Sequence, residues 1–283
     1  MEIDNFKIIF LTGRSISSRI VYNELSKNYN FDKVVVEDSS PFSQILFKRL
    51  KRLGLFTTLN QLFFLLCRKF IFKFSLNRIN EIKKDNSLDT SEIPSKIITN
   101  VSSINDDLVK EILKISKPDL VIVNGTRIIS KNILNCVDCL FVNTHVGITP
   151  KYRGVHGAYW AVVNDDLENC GVTVHIIDEG IDTGDVLYQE LIKPDLNRDN
   201  FTTYPYLQIA KALPLLKRVV DDCKSNEIKA YKVDLPSKIW SHPTLSFYLI
   251  NLLKGKKLKS LCGSFRQLFF GGNEFNYSIT DKI

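Results

Sequence analysis

Three glycine signatures of common α/β proteins are missing from this chain. None of the 283 residues begins a GxGxxG, a GxxxxGK or a GxSxG. Their absence disfavours a dinucleotide-dependent oxidoreductase, a P-loop nucleotide site and a hydrolase with a nucleophile elbow. If the chain forms an α/β fold, its binding site must be built from residues other than these glycine-rich turns.

Membrane and metal signals are also scarce. The first residues, MEIDNFKIIFLTG, have no basic start and no small-residue cleavage site, so we expect no signal peptide. Uninterrupted apolar runs are far shorter than the ~18 residues of a membrane helix. The six cysteines contain only one CxxC, Cys136 and Cys139, whereas structural zinc usually takes two such pairs. We therefore expect free thiols, no metal and a cytoplasmic location.

Acidic residues are missing from residues 41–80, which contain eight basic ones. The net charge of the whole chain is +7, so the other residues sum to about zero. Such a local excess indicates an anionic neighbour, which could be phosphates, nucleic acid or a membrane surface, or else an ordinary solvated helix face. The basic residues are Lys48, Arg49, Lys51, Arg52, Arg68, Lys69, Lys73 and Arg78.

Short apolar runs alternate with amphipathic stretches through the first two thirds of the chain. This alternation predicts a Rossmann-like α/β fold, a mostly parallel sheet flanked by helices. The runs that predict strands are 7–12, 33–37, 96–100, 119–126, 139–145, 171–178 and 186–192. The last two are predicted to pair with each other.

Two other regions are predicted to be helical. Residues 41–84 form an insertion of two amphipathic helices split near Gly54–Thr58, which could cover a substrate, lie on a membrane, pack on a partner or be plain surface. Residues 200–225 predict a long amphipathic helix, and SFYLINLLKGKKLKSL a basic one. We divide the chain into a catalytic domain, 1–200, and a mostly helical extension, 201–283.

The stretch 141–185 carries the chemistry. Asn143 and His145 stand two apart at the end of a predicted strand, so their side chains share a face. The amide can hold an oxyanion and the imidazole can move a proton. Asp178, Asp182 and Asp185 follow the next apolar run. No serine or cysteine nucleophile accompanies them, which favours direct transfer to an incoming amine.

NTHVGITPKYRGVHGAYWAV and GVTVHIIDEGIDTGDVLY together resemble the core of the folate-dependent formyltransferases. The resemblance implies Asn143, protonated His145 and Asp182 as catalytic residues, with 10-formyltetrahydrofolate as co-substrate. It implies cofactor binding by Asn124, Gly125, Thr126, Ile128, Ile129, Asp178, Gly180 and Ile181. It implies substrate binding by Lys151, Tyr152, Arg153, Gly154 and His156.

The acceptor is less well defined by the resemblance. The turn Thr12–Ser17 lacks the glycine-rich form of phosphoribosylglycinamide formyltransferases, although His156 matches their loop. The loop Val146–Pro150 departs from the Ser-Leu-Leu-Pro of the family. The tail has no predicted barrel of the methionyl-tRNA enzymes, so we expect no nucleic acid partner.

We expect a small primary amine as acceptor, preferably a nucleotide-linked amino sugar. The alternatives are phosphoribosylglycinamide, and an inactive relative that binds folate or a membrane. Peripheral membrane contact through residues 41–84, a homodimer and the role of residues 235–283 remain open at this point.

Overall fold

The computed structural model describes residues 6–39 and 42–251. Nine strands occur there: β1 (Ile8–Gly13), β2 (Phe31–Glu37), β3 (Ile98–Val101), β4 (Leu120–Asn124), β5 (Leu140–His145), β6 (Arg153–Gly154), β7 (Gly171–Ile176), β8 (Val186–Leu191) and β9 (Ile239–Trp240). The helices are α1 (Ile16–Leu25), α2 (Phe42–Phe74), α3 (Leu76–Asp85), α4 (Asp107–Ser116), α5 (Lys131–Leu134), α6 (Gly157–Val163), α7 (Tyr204–Lys224) and α8 (Leu245–Asn251). Two 3₁₀ turns cover Ser95–Ile97 and Leu167–Asn169.

Seven strands form one sheet in the order β3-β2-β1-β4-β5-β7-β8. The first five pair in parallel, whereas β7 is antiparallel to both β5 and β8. The predicted fold class is confirmed, as is the pairing of β7 with β8. Strands β6 and β9 form a separate two-stranded ribbon.

The sheet is buried on both faces because its strands are rich in valine and isoleucine. Along β1, Ile8 and Phe10 face one apolar cluster while Ile9 and Leu11 face the other. This alternation has the period of two that a β-strand imposes. Helices α1 and α7 cover the first face, and α4 and α5 cover the second. Helix α7, which begins just after residue 200, packs on the sheet itself. The division of the chain at residue 200 stays a prediction.

The predicted split of the inserted helices lies at Gly54. Its backbone has φ 76° and ψ 170°, a non-helical conformation that kinks α2. A positive φ of this kind suits glycine because it has no Cβ. The break falls within the predicted interval Gly54–Thr58, which confirms it.

One segment of α2 is more apolar on average than its uninterrupted apolar runs indicate. Residues Arg49–Phe74 form a helix that is long and apolar enough to cross a membrane by length and composition, with a mean hydropathy of 1.3 in its most apolar window. Uninterrupted runs underestimated it, because scattered polar residues break the runs without lowering the average much.

Arg78 belongs to a different environment from the other basic residues of the insertion. Its guanidinium donates to both carboxylate oxygens of Asp199, from Nε at 2.9 Å and Nη2 at 3.1 Å. The Asp199 side chain is fully buried. Arg78 therefore anchors α3 to the segment before α7, and it is not part of a free basic surface.

The predicted basic helix near the end of the chain is only partly described. Helix α8 begins within SFYLINLLKGKKLKSL and is described as far as Asn251. The remainder of that prediction lies outside the described residues.

Candidate active site

Asn143, His145 and Asp182 line one cavity of about 410 Å³ at the edge of the sheet. The parallel strands β4 and β5 end at this edge, where α/β sheets usually bind ligands. The antiparallel return of β7 brings the aspartate loop to the same edge. Residues that are far apart in the sequence are thus brought together as expected.

His145 is held on both sides of its ring. Nε2–H donates to the Tyr152 carbonyl at 2.7 Å, and Nδ1 lies 3.2 Å from the Asp182 carboxylate. Burial lowers the pKa of His145, and the opposing effect of Asp182 is smaller. Both ring nitrogens therefore face oxygen acceptors, and the protonated His145 of the sequence analysis stays a prediction. His145 and Asp182 are close enough to share and pass on one proton.

Asp182 sits in the aspartate loop with φ 50°, a left-handed conformation. Its Oδ2 accepts a hydrogen bond from the Gly154 N–H at 2.9 Å. Burial would raise the pKa of Asp182, but the contacts with His175, His145 and the Gly154 N–H outweigh burial and lower this pKa to about 2. The carboxylate is therefore ionised throughout the physiological range.

His175 is a site residue that the sequence analysis did not identify. It pairs with Asn143 across β5 and β7, and the Asn143 amide donates to its Nε2 at 3.2 Å. Nδ1 lies 2.8 Å from the Ile176 carbonyl, so Nδ1 carries the proton and Nε2 accepts. This contact fixes the direction of the Asn143 amide. The available signal was a lone histidine within the apolar strand GVTVHI.

The residues predicted to bind the cofactor cluster around the same cavity. Seven of the eight line it, namely Gly125, Thr126, Ile128, Ile129, Asp178, Gly180 and Ile181. Asn124 does not line it, because its amide donates to the Ser17 and Ser18 hydroxyls of the turn after β1. The cavity thus joins the catalytic residues to an apolar rim, in which Ile128 is 56% and Ile181 38% exposed.

The predicted substrate residues are distributed over several places. Gly154 lines the catalytic cavity, and Arg153 precedes it on β6. Lys151 forms an ion pair with Asp166 at 2.6 Å, and the hydroxyl of the buried Tyr152 donates to the same carboxylate. Those two side chains therefore hold the loop in place, and their role in substrate binding stays a prediction.

His156 lines a second cavity of about 220 Å³. The others that line it are Ile16, Ser17, Ile20, Arg68, Phe72, Phe201, Thr202, Pro205, Tyr206 and Ile209. His156 lies directly after Val155, which lines the catalytic cavity. The two cavities are therefore neighbours along the loop between β6 and α6.

His156 and His242 form a buried pair in this second region. Their Nε2 and Nδ1 atoms are 3.1 Å apart. Burial, followed by the charge of nearby groups, lowers the pKa of His156 to about 3 and that of His242 to about 4. Both rings are therefore neutral at pH 7.

Protein stability should fall as the solution becomes acidic. Unfolded histidine binds a proton below pH ~6.5, whereas the folded His156 and His242 stay neutral to lower pH, so acid favours the unfolded chain. We expect the free energy of unfolding to drop by on the order of 1 kcal/mol per histidine between pH 6.5 and 5.5. Urea unfolding at a series of pH values measures it. His242→Gln should flatten the profile, and a wild-type stability that is constant or rises toward acid would contradict the assignment.

Comparison with known proteins shows which family the chain resembles. Residues 78–204 match the model of the family described as Formyl transferase. This part of the chain is similar to the members of that family.

Individual relatives show how far the similarity extends. The methionyl-tRNA formyltransferase of Desulfotalea psychrophila is 34% identical over 134 residues, which cover 47% of this chain and 41% of the relative. A sugar N-formyltransferase structure from Shewanella sp. superposes with a TM-score of 0.53 at 14% identity, covering 83% and 76% of the two chains. An N-formyltransferase from Helicobacter canadensis, solved with folinic acid and dTDP-3-aminofucose, gives 0.52 at 16% identity, covering 82% and 70%.

The structural likeness establishes the shared fold. The chain spans less than two thirds of the length of the curated relatives it matches.

Proposed function

We propose that this protein transfers a formyl group from 10-formyltetrahydrofolate to a primary amine. One observation carries the proposal: Asn143, His145 and Asp182 share a single cavity with seven residues predicted to hold the folate. The pterin would lie against the apolar rim formed by Ile128 and Ile181. The formyl group would then point toward Asn143.

Each catalytic group has a defined task in this reaction. The acceptor nitrogen forms a bond to the formyl carbon, and the charge that develops on the formyl oxygen is stabilised by the Asn143 amide. His175 already holds one side of that amide. The pair of His145 and the ionised Asp182 takes up the proton that leaves the amine. The bond from the carbon to N10 of the folate then breaks, and N10 receives a proton.

The second cavity supports a nucleotide-linked amino sugar as the acceptor. Arg68 can contact phosphate oxygens, and Phe72, Phe201 and Tyr206 offer apolar and aromatic surface for a base or sugar. The Helicobacter canadensis neighbour was solved with an acceptor of this class. A methionyl-tRNA acceptor remains the second candidate, because the curated relatives carry that name.

The test is a formylation assay with 10-formyltetrahydrofolate and a panel of acceptors. The panel contains nucleotide-linked amino sugars, phosphoribosylglycinamide and methionyl-tRNA, and products are identified by mass spectrometry. We expect formylation of a nucleotide-linked amino sugar. Turnover of phosphoribosylglycinamide alone, or of methionyl-tRNA alone, would change the proposed acceptor and keep the enzyme class. No turnover, together with no binding of folinic acid by calorimetry, would refute the enzyme class.

The location and the assembly state remain predictions. A cytoplasmic enzyme and a homodimer are each consistent with the fold, and neither follows from the geometry of the site.

A further inference from the structure

Helix α2 carries a long apolar face that the rest of the described chain leaves exposed. Seven large side chains after the kink are between 44% and 81% exposed: Leu55, Phe56, Leu59, Phe63, Leu66, Phe70 and Phe74. From Phe56 to Phe74 they recur every three or four residues, so they form one stripe along the helix. Aromatic surface of this extent on a soluble domain usually marks an interaction site.

Basic side chains flank this stripe. Lys51 and Arg52 precede the kink, and Lys69 and Lys73 lie in the last turns of the helix; all four are exposed. No ion pair joins these four to an acidic group of the described residues. Residues 41–80 contain no acidic residue at all. The face therefore combines apolar bulk with uncompensated positive charge.

The opposite side of α2 is fixed to the catalytic domain. Phe64 is fully buried against Phe201 and Tyr248. The Gln61 amide donates to the His242 carbonyl at 2.7 Å, and the Asn60 side chain accepts from the Ser246 N–H. A membrane-spanning helix needs lipid or other spanning segments around it, which this packing does not allow. The helix is thus suited to lie in an interface with only its outer face immersed.

The end of the described chain continues the same chemistry. In α8, Phe247, Leu249 and Ile250 are between 38% and 49% exposed, and α8 packs beside α2. Lys254, Lys256, Lys257 and Lys259 follow in the sequence.

Charge selects the occupant of this surface. Two copies of the chain meeting through this face would bring their basic residues together, with no acidic residue of the segment to compensate them. Anionic lipid headgroups supply the missing charge, and the acyl region accepts the aromatic side chains. The formyl transferase match begins at residue 78, after α2 ends, so α2 lies outside the matched residues.

We propose that the outer face of α2, continued by α8, docks the protein on an anionic lipid bilayer with α2 lying along the membrane plane. The inference rests on α2 and α8 and does not depend on the proposed reaction. Arg68 and Phe72 of the same helix also line the second cavity. Docking would therefore place one wall of the second cavity next to the membrane.

The test is co-sedimentation of the full chain with vesicles of phosphatidylcholine, either alone or mixed with phosphatidylglycerol. We expect binding to the mixed vesicles that weakens but persists when salt is raised, because salt screens only the electrostatic part. Phe56→Asp combined with Phe63→Asp should lower the partition coefficient at least ~10-fold. Ile115→Asp on α4, at a side chain that is 82% exposed, is the matched control and should bind like the wild type.

A second variant separates the charge from the apolar surface. Lys51→Glu, Lys69→Glu and Lys73→Glu together should reduce binding to the phosphatidylglycerol vesicles and leave thermal unfolding unchanged. Wild-type protein that does not sediment with these vesicles, or aspartate variants that bind as well as the wild type, would overturn the proposal. A third result would also overturn it: no vesicle binds, and sedimentation velocity shows a dimer that the phenylalanine variants dissociate. That result would assign the face to a second copy of the chain.

Discussion

Asn143→Ala is expected to lower turnover by about 100-fold to 1,000-fold, the usual cost of removing one oxyanion donor. The amide faces the catalytic cavity, and His175 holds it in one orientation at 3.2 Å. Because the amide acts on charge that develops during transfer, the loss should appear in kcat, with KM for the folate little changed. Steady-state kinetics with the acceptor identified in the panel measures both constants.

The control for this variant is Asn164→Ala, at the end of α6 and exposed to solvent. It removes the same side chain away from the catalytic cavity and should leave kcat unchanged. A turnover within a few-fold of the wild type for Asn143→Ala would remove the oxyanion role from this residue.

Asp182→Asn is expected to lower turnover at least ~100-fold, the lower range for loss of general acid–base catalysis. Asparagine has the same shape and tolerates the left-handed backbone, φ 50° at this position. The variant therefore removes the charge beside His145 while the fold is kept. Without that charge, only the hydrogen bond to the Tyr152 carbonyl opposes the effect of burial, and the pKa of His145 should fall further.

Asp185→Asn in the same loop is the matched control, because Asp185 does not line the catalytic cavity. NMR titration of the His145 ring in both variants gives an independent readout. A His145 pKa that is unchanged in Asp182→Asn, or a turnover equal to that of the control, would contradict the assigned coupling. In the double variant His145→Ala and Asp182→Asn, the loss of turnover should be much smaller than the product of the two single losses, since the two groups handle one proton.

The sheet was predictable because its strands are buried on both faces and so read as plain apolar runs. β1 and β4 illustrate this, since each is a run of apolar residues that ends at a polar turn. Placing Asn143 and His145 at the ligand edge then followed from the general rule for parallel sheets. The resemblance selected Asp182 among three aspartates, and its 3.2 Å approach to His145 agrees with that choice.

His175 shows where sequence reasoning stopped. Its partner Asn143 is thirty-two positions away and is reached through an antiparallel pairing. Neither residue spacing nor hydropathy reveals which strand lies beside β5. The lowered pKa of His145 could not be predicted for a related reason, because burial of a ring depends on the packing of loops from several elements.

Helix α2 shows the same limit in another form. Its break was visible at Gly54, but its local pattern could not show which side contacts the domain. Phe63 and Phe64 are neighbours of the same type, yet the first is 57% exposed and the second is buried among Phe201 and Tyr248. The sequence groups Arg78 with seven other basic residues, and it does not show that Asp199, more than a hundred positions away, pairs with it.

The central claim is that the cavity around Asn143, His145 and Asp182 transfers a formyl group directly from folate to an amine. A single-turnover experiment with 10-formyltetrahydrofolate labelled in the formyl carbon tests it most directly. We predict that the label moves to the nitrogen of a nucleotide-linked amino sugar without appearing on the protein, and that Asn143→Ala slows this step. Label that stays on the folate with every amine of the panel, or that accumulates on the enzyme, would contradict the account.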